Sequence, residues 1–209
     1  PQRVDVIYRR IDDAYIDPLA FKPDSLLGVP GLFGAYRAGA VTLCSAPGAG
    51  IADDKAIYVF TPEMIRFYLG EEPLLHIPES YDLGNPQHAS RAMGQLDRLV
   101  VKPRWALGGQ DIVIGPRASA RDLERARHAV DSNPGQFVAQ EMIGLSTHPT
   151  LIGDQLEPRH IDLRPYVFTS GGEQTVAPLA LTRFARAAGN LVVSSTQGGG
   201  AKDTWILED

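Results

Sequence analysis

Lysines, arginines and glycines at the ends of apolar segments are the residues of this sequence best placed to do chemistry. Lys55 follows Asp53 and Asp54 at a helix start, and Lys102 closes the apolar tetrad Leu99–Lys102, with Gly108-Gly109 in the loop beyond. An ammonium group at such a place can grip phosphate oxygens, and a loop without side chains lets backbone N–H groups approach them. Each lysine alone also reads as a solvated surface charge. Arg159, Arg164 and Arg183 lie in or beside apolar segments, where a guanidinium is costly unless it is paired. In Ile161-Asp162-Leu163-Arg164, strand alternation puts Asp162 and Arg164 on one face. The two either form an internal ion pair or turn the arginine toward an anionic ligand.

Other chemistries are poorly served. The sequence has no G-x-x-x-x-G-K-[ST] phosphate loop, no G-x-G-x-x-G after a strand, no G-x-S-x-G elbow and no H-E-x-x-H pair. The histidines at 76, 88, 128, 148 and 160 share no i, i+4 spacing, and no cysteine cluster accompanies them. Cys44, alone in an apolar segment, reads as a small buried hydrophobe.

The elements that must position these residues follow from pattern. The chain has 209 residues, 44% of them hydrophobic and 22% charged, enough to bury a core. Its net charge of −5 argues against a broad phosphate-tracking surface, so nucleic acid is not an expected partner. Apolar runs stay well short of the roughly 18 residues that suggest a membrane span, and no membrane partner is expected. A lone cysteine agrees with a reducing cytoplasm, the expected location.

A buried strand is expected at Val4–Tyr8, so close to Pro1 that further sequence is expected upstream. Two short helices broken by Pro30-Gly31 are expected over 24–37, a strand over 41–45, and helices from Asp53 to Phe60 and from Pro62 onward. The stretch 70–90 reads as a connector with one short strand. A helix from about Pro86 to Arg98, strands at 99–102 and 112–114, and a helix over 119–132 capped by Ser119 come next. Strands are then expected at 137–143, 161–169, 175–180 and 191–193. Strands in succession after interspersed helices argue α+β.

Read in order, these elements resemble the circularly permuted type 2 branch of the ATP-grasp superfamily, to which glutathionylspermidine-synthase-like proteins are related. The strings that carry the resemblance are VDVIYRRIDD at 4–13, DDKAIY at 53–58, PEMIRFYLGEEPLL at 62–75, LSTHPT at 145–150, PRHIDLRPYV at 158–167 and QGGGAKDTWILED at 197–209. The resemblance implies two α+β subdomains enclosing a nucleotide cleft, with 1–60 a portion of the central subdomain, 61–140 the small subdomain with the glycine-rich loop and 141–209 the C-terminal subdomain. It further implies that Lys55 and Lys102 are the two ATP-gripping lysines and that Gly108-Gly109 is the loop that folds over the phosphates. Gln140-Glu141-Met142-Ile143 would be the segment that meets adenine. Asp162, Arg164 and Arg183 match positions facing phosphate or acyl-phosphate. Arg10, beside Arg9, matches a basic pair facing the reaction centre, and Lys202 lies in the turn that closes the permuted domain.

Three departures accompany the match. The glycine-rich stretch reads Ala106-Leu107-Gly108-Gly109-Gln110-Asp111 where relatives read S-G-G-Y-G, and so gains a carboxylate. Ser194 stands where relatives commonly have Asn. The Glu-x-Asn strand that holds magnesium in this family lies upstream of the strand where this chain starts, so no metal ligand is assigned within it. The family's reaction is ATP-dependent ligation. A carboxylate takes the γ-phosphate of ATP, and an amine or thiol then attacks the acyl-phosphate, with Mg²⁺ as cofactor and peptide-like or amino-acid-like substrates as the default. This chain by itself is expected to bind nucleotide weakly and to lack turnover. A non-catalytic nucleotide-binding module, or a scaffold keeping only the fold, are the other readings.

Overall fold

The computed structural model describes residues 2–105, 111–194 and 198–207. The chain divides into two compact units, Pro1–Ile77 and Pro78–Asp209. A 3₁₀ turn over Ile57–Phe60 leads straight into a helix at Thr61, and Gln140 and Glu141 sit in one strand. Among the described residues no helix is long and apolar enough to cross a membrane.

In the first unit β1 (Val6–Tyr8) pairs in parallel with β2 (Thr42–Cys44), placing Ile7 opposite the buried Leu43. The expectation of a buried β1 is corrected: Val6 and Tyr8 are 57% and 77% exposed. Pleating turns these two side chains to one face and Ile7 to the other, and only the Ile7 side packs inward. Of the two helices expected over 24–37, only α1 (Leu32–Arg37) forms. Val29 precedes a proline, which disfavours helical backbone, and Leu26 is exposed, so that stretch has no apolar face to bury. The helix expected over 53–60 is instead two 3₁₀ turns, Ala49–Asp53 and Ile57–Phe60, followed by α2 (Thr61–Leu69).

Helix α1 starts at Gly31, which has φ +84° and no side chain to cap with. Asp17, 1% exposed, supplies the cap from a distance. Its carboxylate accepts hydrogen bonds from the backbone N–H groups of Phe33 (2.9 Å), Gly31 (3.1 Å) and Leu19 (2.9 Å). Gly28 is fixed by the same packing, because a Cβ there would lie 2.1 Å from the Tyr15 carbonyl oxygen. Burial pushes the Asp17 carboxyl up, but the hydrogen bonds from Phe33, Leu19, Gly31 and Ala20 outweigh it and hold the group below the ordinary carboxylate range. A depressed folded-state value contributes stability that is present above the unfolded value, about 3.9, and is lost as pH falls through the folded one. Asp17→Ala is therefore expected to lower the melting temperature at pH 7, and the gap between parent and variant should shrink below about pH 4. Thermal unfolding across pH checks this, and a gap that does not change with pH would contradict it.

The second unit holds two four-stranded sheets. The first has the order β3 (Ser80–Asp82), β6 (Phe137–Glu141), β4 (Leu99–Pro103), β5 (Val113–Ile114), antiparallel throughout. Helices α3 (Pro86–Met93) and α4 (Ala120–Ser132) contribute Ala92 and Val130 to a core with Tyr81, Leu83, Leu96, Leu99, Val101 and Ala139. Ser119 caps α4 as expected, its Oγ accepting from the Asp122 N–H at 3.2 Å. Alternation along β4 sends Leu99 and Val101 into this core and Val100 and Lys102 to the other face.

The second sheet has the order β10 (Gly200–Trp205), β9 (Glu173–Phe184), β8 (Gln155–Ser170), β7 (Thr147–Ile152), again antiparallel. Strands β8 and β9 are longer than expected, and β7 and β10 have no expected counterpart. Pro149 of β7 stands opposite Pro158 of β8, and prolines argue against a strand when only sequence is read. The strand expected at 191–193 is absent; that segment is irregular backbone between β9 and β10. Helix α3 also ends early, at Gly94, and β6 stops at Glu141.

Candidate functional site

A cavity of about 430 Å³ lies in the second unit, lined from both sheets and from the segment Leu191–Ser194. Its apolar lining is Val100, Ile112, Ile114, Met142, Ile143, Leu145, Leu191, Val192 and Val193, and its polar lining is Lys102, Gln140, Glu141, Asp162, Arg164, Arg183 and Ser194. Of the expected site residues, Lys102, Gln140, Glu141, Ile143, Asp162, Arg164 and Arg183 line this one cavity.

Each is placed by an identifiable device. Lys102 donates to Gln140 Oε1 at 2.6 Å, and Gln140 Nε2 donates to Ser80 Oγ at 2.9 Å. Ser80 Oγ in turn donates to the Pro78 carbonyl at 2.9 Å, so a relay across three strands holds the ammonium group. Asp162 and Arg164 share a face of β8, as their spacing requires, and form a forked pair. Arg164 Nη2 lies 2.7 Å and Nε 3.2 Å from Asp162 Oδ2. Asp162 raises the Arg164 pKa further, so that guanidinium stays charged. Arg183 stands directly opposite Asp162 on β9 and is half-buried. It makes no hydrogen bond or ion pair among the described residues.

The other expected site residues lie elsewhere. Lys202 does not reach the cavity. It pairs with Thr182, while Arg183 pairs with Asp162, so Lys202 faces the opposite side of the sheet. There its ammonium contacts His148 Nδ1 at 2.9 Å and the Pro149 carbonyl. His148 belongs to β7, three strands away, roughly 14 Å in a flat sheet; the sheet therefore curls toward that side. Gly108 and Gly109 fall outside the described residues. Lys55 and Arg10 belong to the first unit. Lys55 is half-buried; burial lowers its pKa despite the opposing Asp54 and Asp53 charges. Of the neighbouring arginines, Arg9 is committed to structure. It donates to the carbonyls of Ile11 (2.7 Å), Ser45 (2.8 Å) and Ala46 (3.1 Å) and pairs with the Asp13 carboxylate, whereas Arg10 is exposed.

The apolar lining went unassigned when only sequence was read. Its signal was the alternation in Val100–Lys102 and Ile112–Ile114, which marks a second apolar face on β4 and β5. Among the described residues no three His, Cys, Asp or Glu side chains converge to hold a metal ion. The remaining arrangement suits a ligand with a flat apolar part and an anionic part, one between hydrophobic walls and the other against Lys102 and Arg183.

The family described as circularly permuted ATP-grasp type 2 matches residues 1–185. The uncharacterized protein sll0335 of Synechocystis sp. is 51% identical over 207 residues, which is 99% of this chain and 43% of that protein. The uncharacterized protein Rv2411c of Mycobacterium tuberculosis is 47% identical over 206 residues, 99% of this chain and 37% of that protein. A protein of Frankia alni named "Putative glutamate--cysteine ligase 2-3" is 44% identical over 205 residues, 98% of this chain and 24% of that protein. The chain thus spans less than half the length of these relatives. With a match over most of its length and an α+β architecture, the chain belongs to the circularly permuted type 2 ATP-grasp family.

Proposed function

We propose that the protein is an ATP-dependent ligase that joins a carboxylate to an amine or a thiol through an acyl-phosphate, with nucleotide in the cavity of the second unit. The observation that carries this reading is that Lys102, Gln140, Asp162, Arg164 and Arg183 line one cavity together with a set of apolar side chains. Adenine lies between the apolar walls, beside the backbone of Glu141–Ile143. The triphosphate runs toward Lys102 and the arginines, where charge neutralisation and positioning supply most of the rate enhancement. A carboxylate oxygen attacks the γ-phosphorus and ADP leaves. The amine or thiol then attacks the acyl carbon, losing its proton as inorganic phosphate departs. Lys55 and Arg10 are included on the family's pattern alone, and the magnesium that accompanies ATP would take its ligands from outside this chain.

Glutamate and cysteine, named for the Frankia relative, are the first pair to test, in the full-length protein. With ¹⁸O in the glutamate carboxylate, ADP formation should require both substrates and one ¹⁸O should appear in the released phosphate. ADP formation without ¹⁸O transfer would contradict the acyl-phosphate route. A second reading, a nucleotide-binding module without turnover, is favoured by Asp111. This carboxylate, at φ +54°, adjoins the glycine-rich stretch and would repel phosphates there. ATP binding with no ADP formed from any carboxylate pair would support that module.

A further inference from the structure

Hydrogen-bond polarity runs one way along the relay that holds Lys102. An ammonium group has donors and no acceptor, so the atom it meets at 2.6 Å must be the Gln140 carbonyl oxygen, Oε1. That leaves the amide nitrogen of Gln140 to Ser80 Oγ, at 2.9 Å. At the far end the carbonyl of the buried Pro78 can only accept, so the single hydroxyl hydrogen of Ser80 goes there, at 2.9 Å. An oxygen lone pair of Ser80 then remains for Gln140. A donor-only end and an acceptor-only end thus dictate the direction of every link between them. A flipped amide would set its nitrogen against the ammonium group and its oxygen against a hydroxyl whose hydrogen is already committed.

Register builds this relay. Ser80 of β3 stands directly opposite Gln140 of β6, and Gln140 stands opposite Val100 of β4. Lys102 follows Val100 on the same face of β4, at the diagonal position that long side chains span. Gln140 and Lys102 line the cavity, whereas Ser80 does not. A ligand in the cavity meets the amide and the ammonium group but not the hydroxyl, so any influence of Ser80 on that ligand passes through Gln140. All three bonds lie at half-buried groups, where partial exclusion of water strengthens them.

We infer that Ser80 is a positioning residue: its hydroxyl orients the Gln140 amide so that an acceptor faces Lys102, and that acceptor sets where the ammonium group points. What the ammonium group then holds rests on the nucleotide proposed for the cavity, whereas the positioning itself requires no ligand.

Two readouts on the full-length protein test this. The first needs no nucleotide. In ¹H–¹⁵N spectra of lysine side chains, taken in the cold at mildly acidic pH, a held ammonium group gives a signal and one exchanging freely with water does not. The Lys102 signal, assigned by its loss in Lys102→Met, should be present in the parent and in Ser80→Thr, which keeps the hydroxyl. It should be lost or several-fold weaker in Ser80→Ala and in Gln140→Leu. The second readout is titration with a fluorescent ATP analogue. Ser80→Ala should weaken binding about three- to fivefold and Ser80→Thr by less than about twofold, whereas adding Ser80→Ala to Gln140→Leu should cost less than about 1.5-fold more. A Lys102 signal unchanged in Ser80→Ala would overturn the inference. So would a loss of ATP affinity that persists undiminished on the Gln140→Leu background, because Ser80 would then act by a route other than the amide. A Lys102 signal that follows Ser80 as expected, in a protein that binds no ATP, would leave the positioning standing and remove the nucleotide from the cavity.

Discussion

Replacing Arg183 with methionine is expected to lower kcat/KM for ATP-dependent ligation by the full-length protein roughly 100- to 1,000-fold, while leaving the melting temperature equal or slightly raised. The two halves of this expectation have one cause. A half-buried guanidinium with no internal hydrogen bond or ion pair among the described residues adds nothing to folding, and its desolvation is a cost in the free protein. Such a group gains its partner only when an anion enters, and a developing phosphoryl or carboxylate charge in a water-poor cavity is where it has the largest effect. Arg164 is the contrasting case. Its Nε and Nη2 are both taken by Asp162, so Arg164→Lys should disturb the pair and the strand face more than the chemistry. A loss below tenfold is expected there. If Arg164→Lys proved more damaging than Arg183→Met at equal thermal stability, the assignment of the two arginines would have to be exchanged.

The second large effect is expected at Lys102. Its ammonium is held at the cavity by Gln140, itself held by Ser80, and so reaches the phosphate end without the rotamer loss of a free lysine. Lys102→Met should weaken ATP roughly 30- to 150-fold, about 2–3 kcal/mol, the worth of a charge-assisted phosphate contact. Gln140→Leu removes the anchor but leaves the charge, and should cost only about five- to tenfold in ATP affinity. Equilibrium titration with a fluorescent ATP analogue separates the two. Equal losses at Lys102 and Gln140 would mean that Gln140 itself contacts the nucleotide.

Much of this site was legible because strand periodicity is strict. The spacing of Asp162 and Arg164 was enough to put them on one face, and an apolar tetrad ending in Lys102 was enough to place that lysine at a sheet surface. Helix α4 was equally plain, from the Ser119 cap to the stop at Asn133-Pro134-Gly135. Facing relations between strands were not legible, because they depend on register. Lys202 illustrates this: only its pairing with Thr182, not with Arg183, sends it away from the cavity. Burial also escaped local pattern. Val6 and Tyr8 belong to an apolar run, yet a two-stranded pair covers only one of its faces. Asp17, the buried cap of α1, carried no local signal because its acceptors serve backbone N–H groups up to 16 residues away. The irregular Leu191–Val193 segment reads as a strand by composition and instead supplies a cavity wall.

Photolabelling with 8-azido-ATP reads the position of bound ATP directly. Adenine held between the apolar walls should place the label on peptides from Val100–Ile114, Gln140–Leu145 or Leu191–Ser194, and excess ATP should abolish it. Lys102→Met should reduce it at a fixed analogue concentration. Specific label confined to residues outside the cavity, or label that ATP does not compete away, would contradict the central claim.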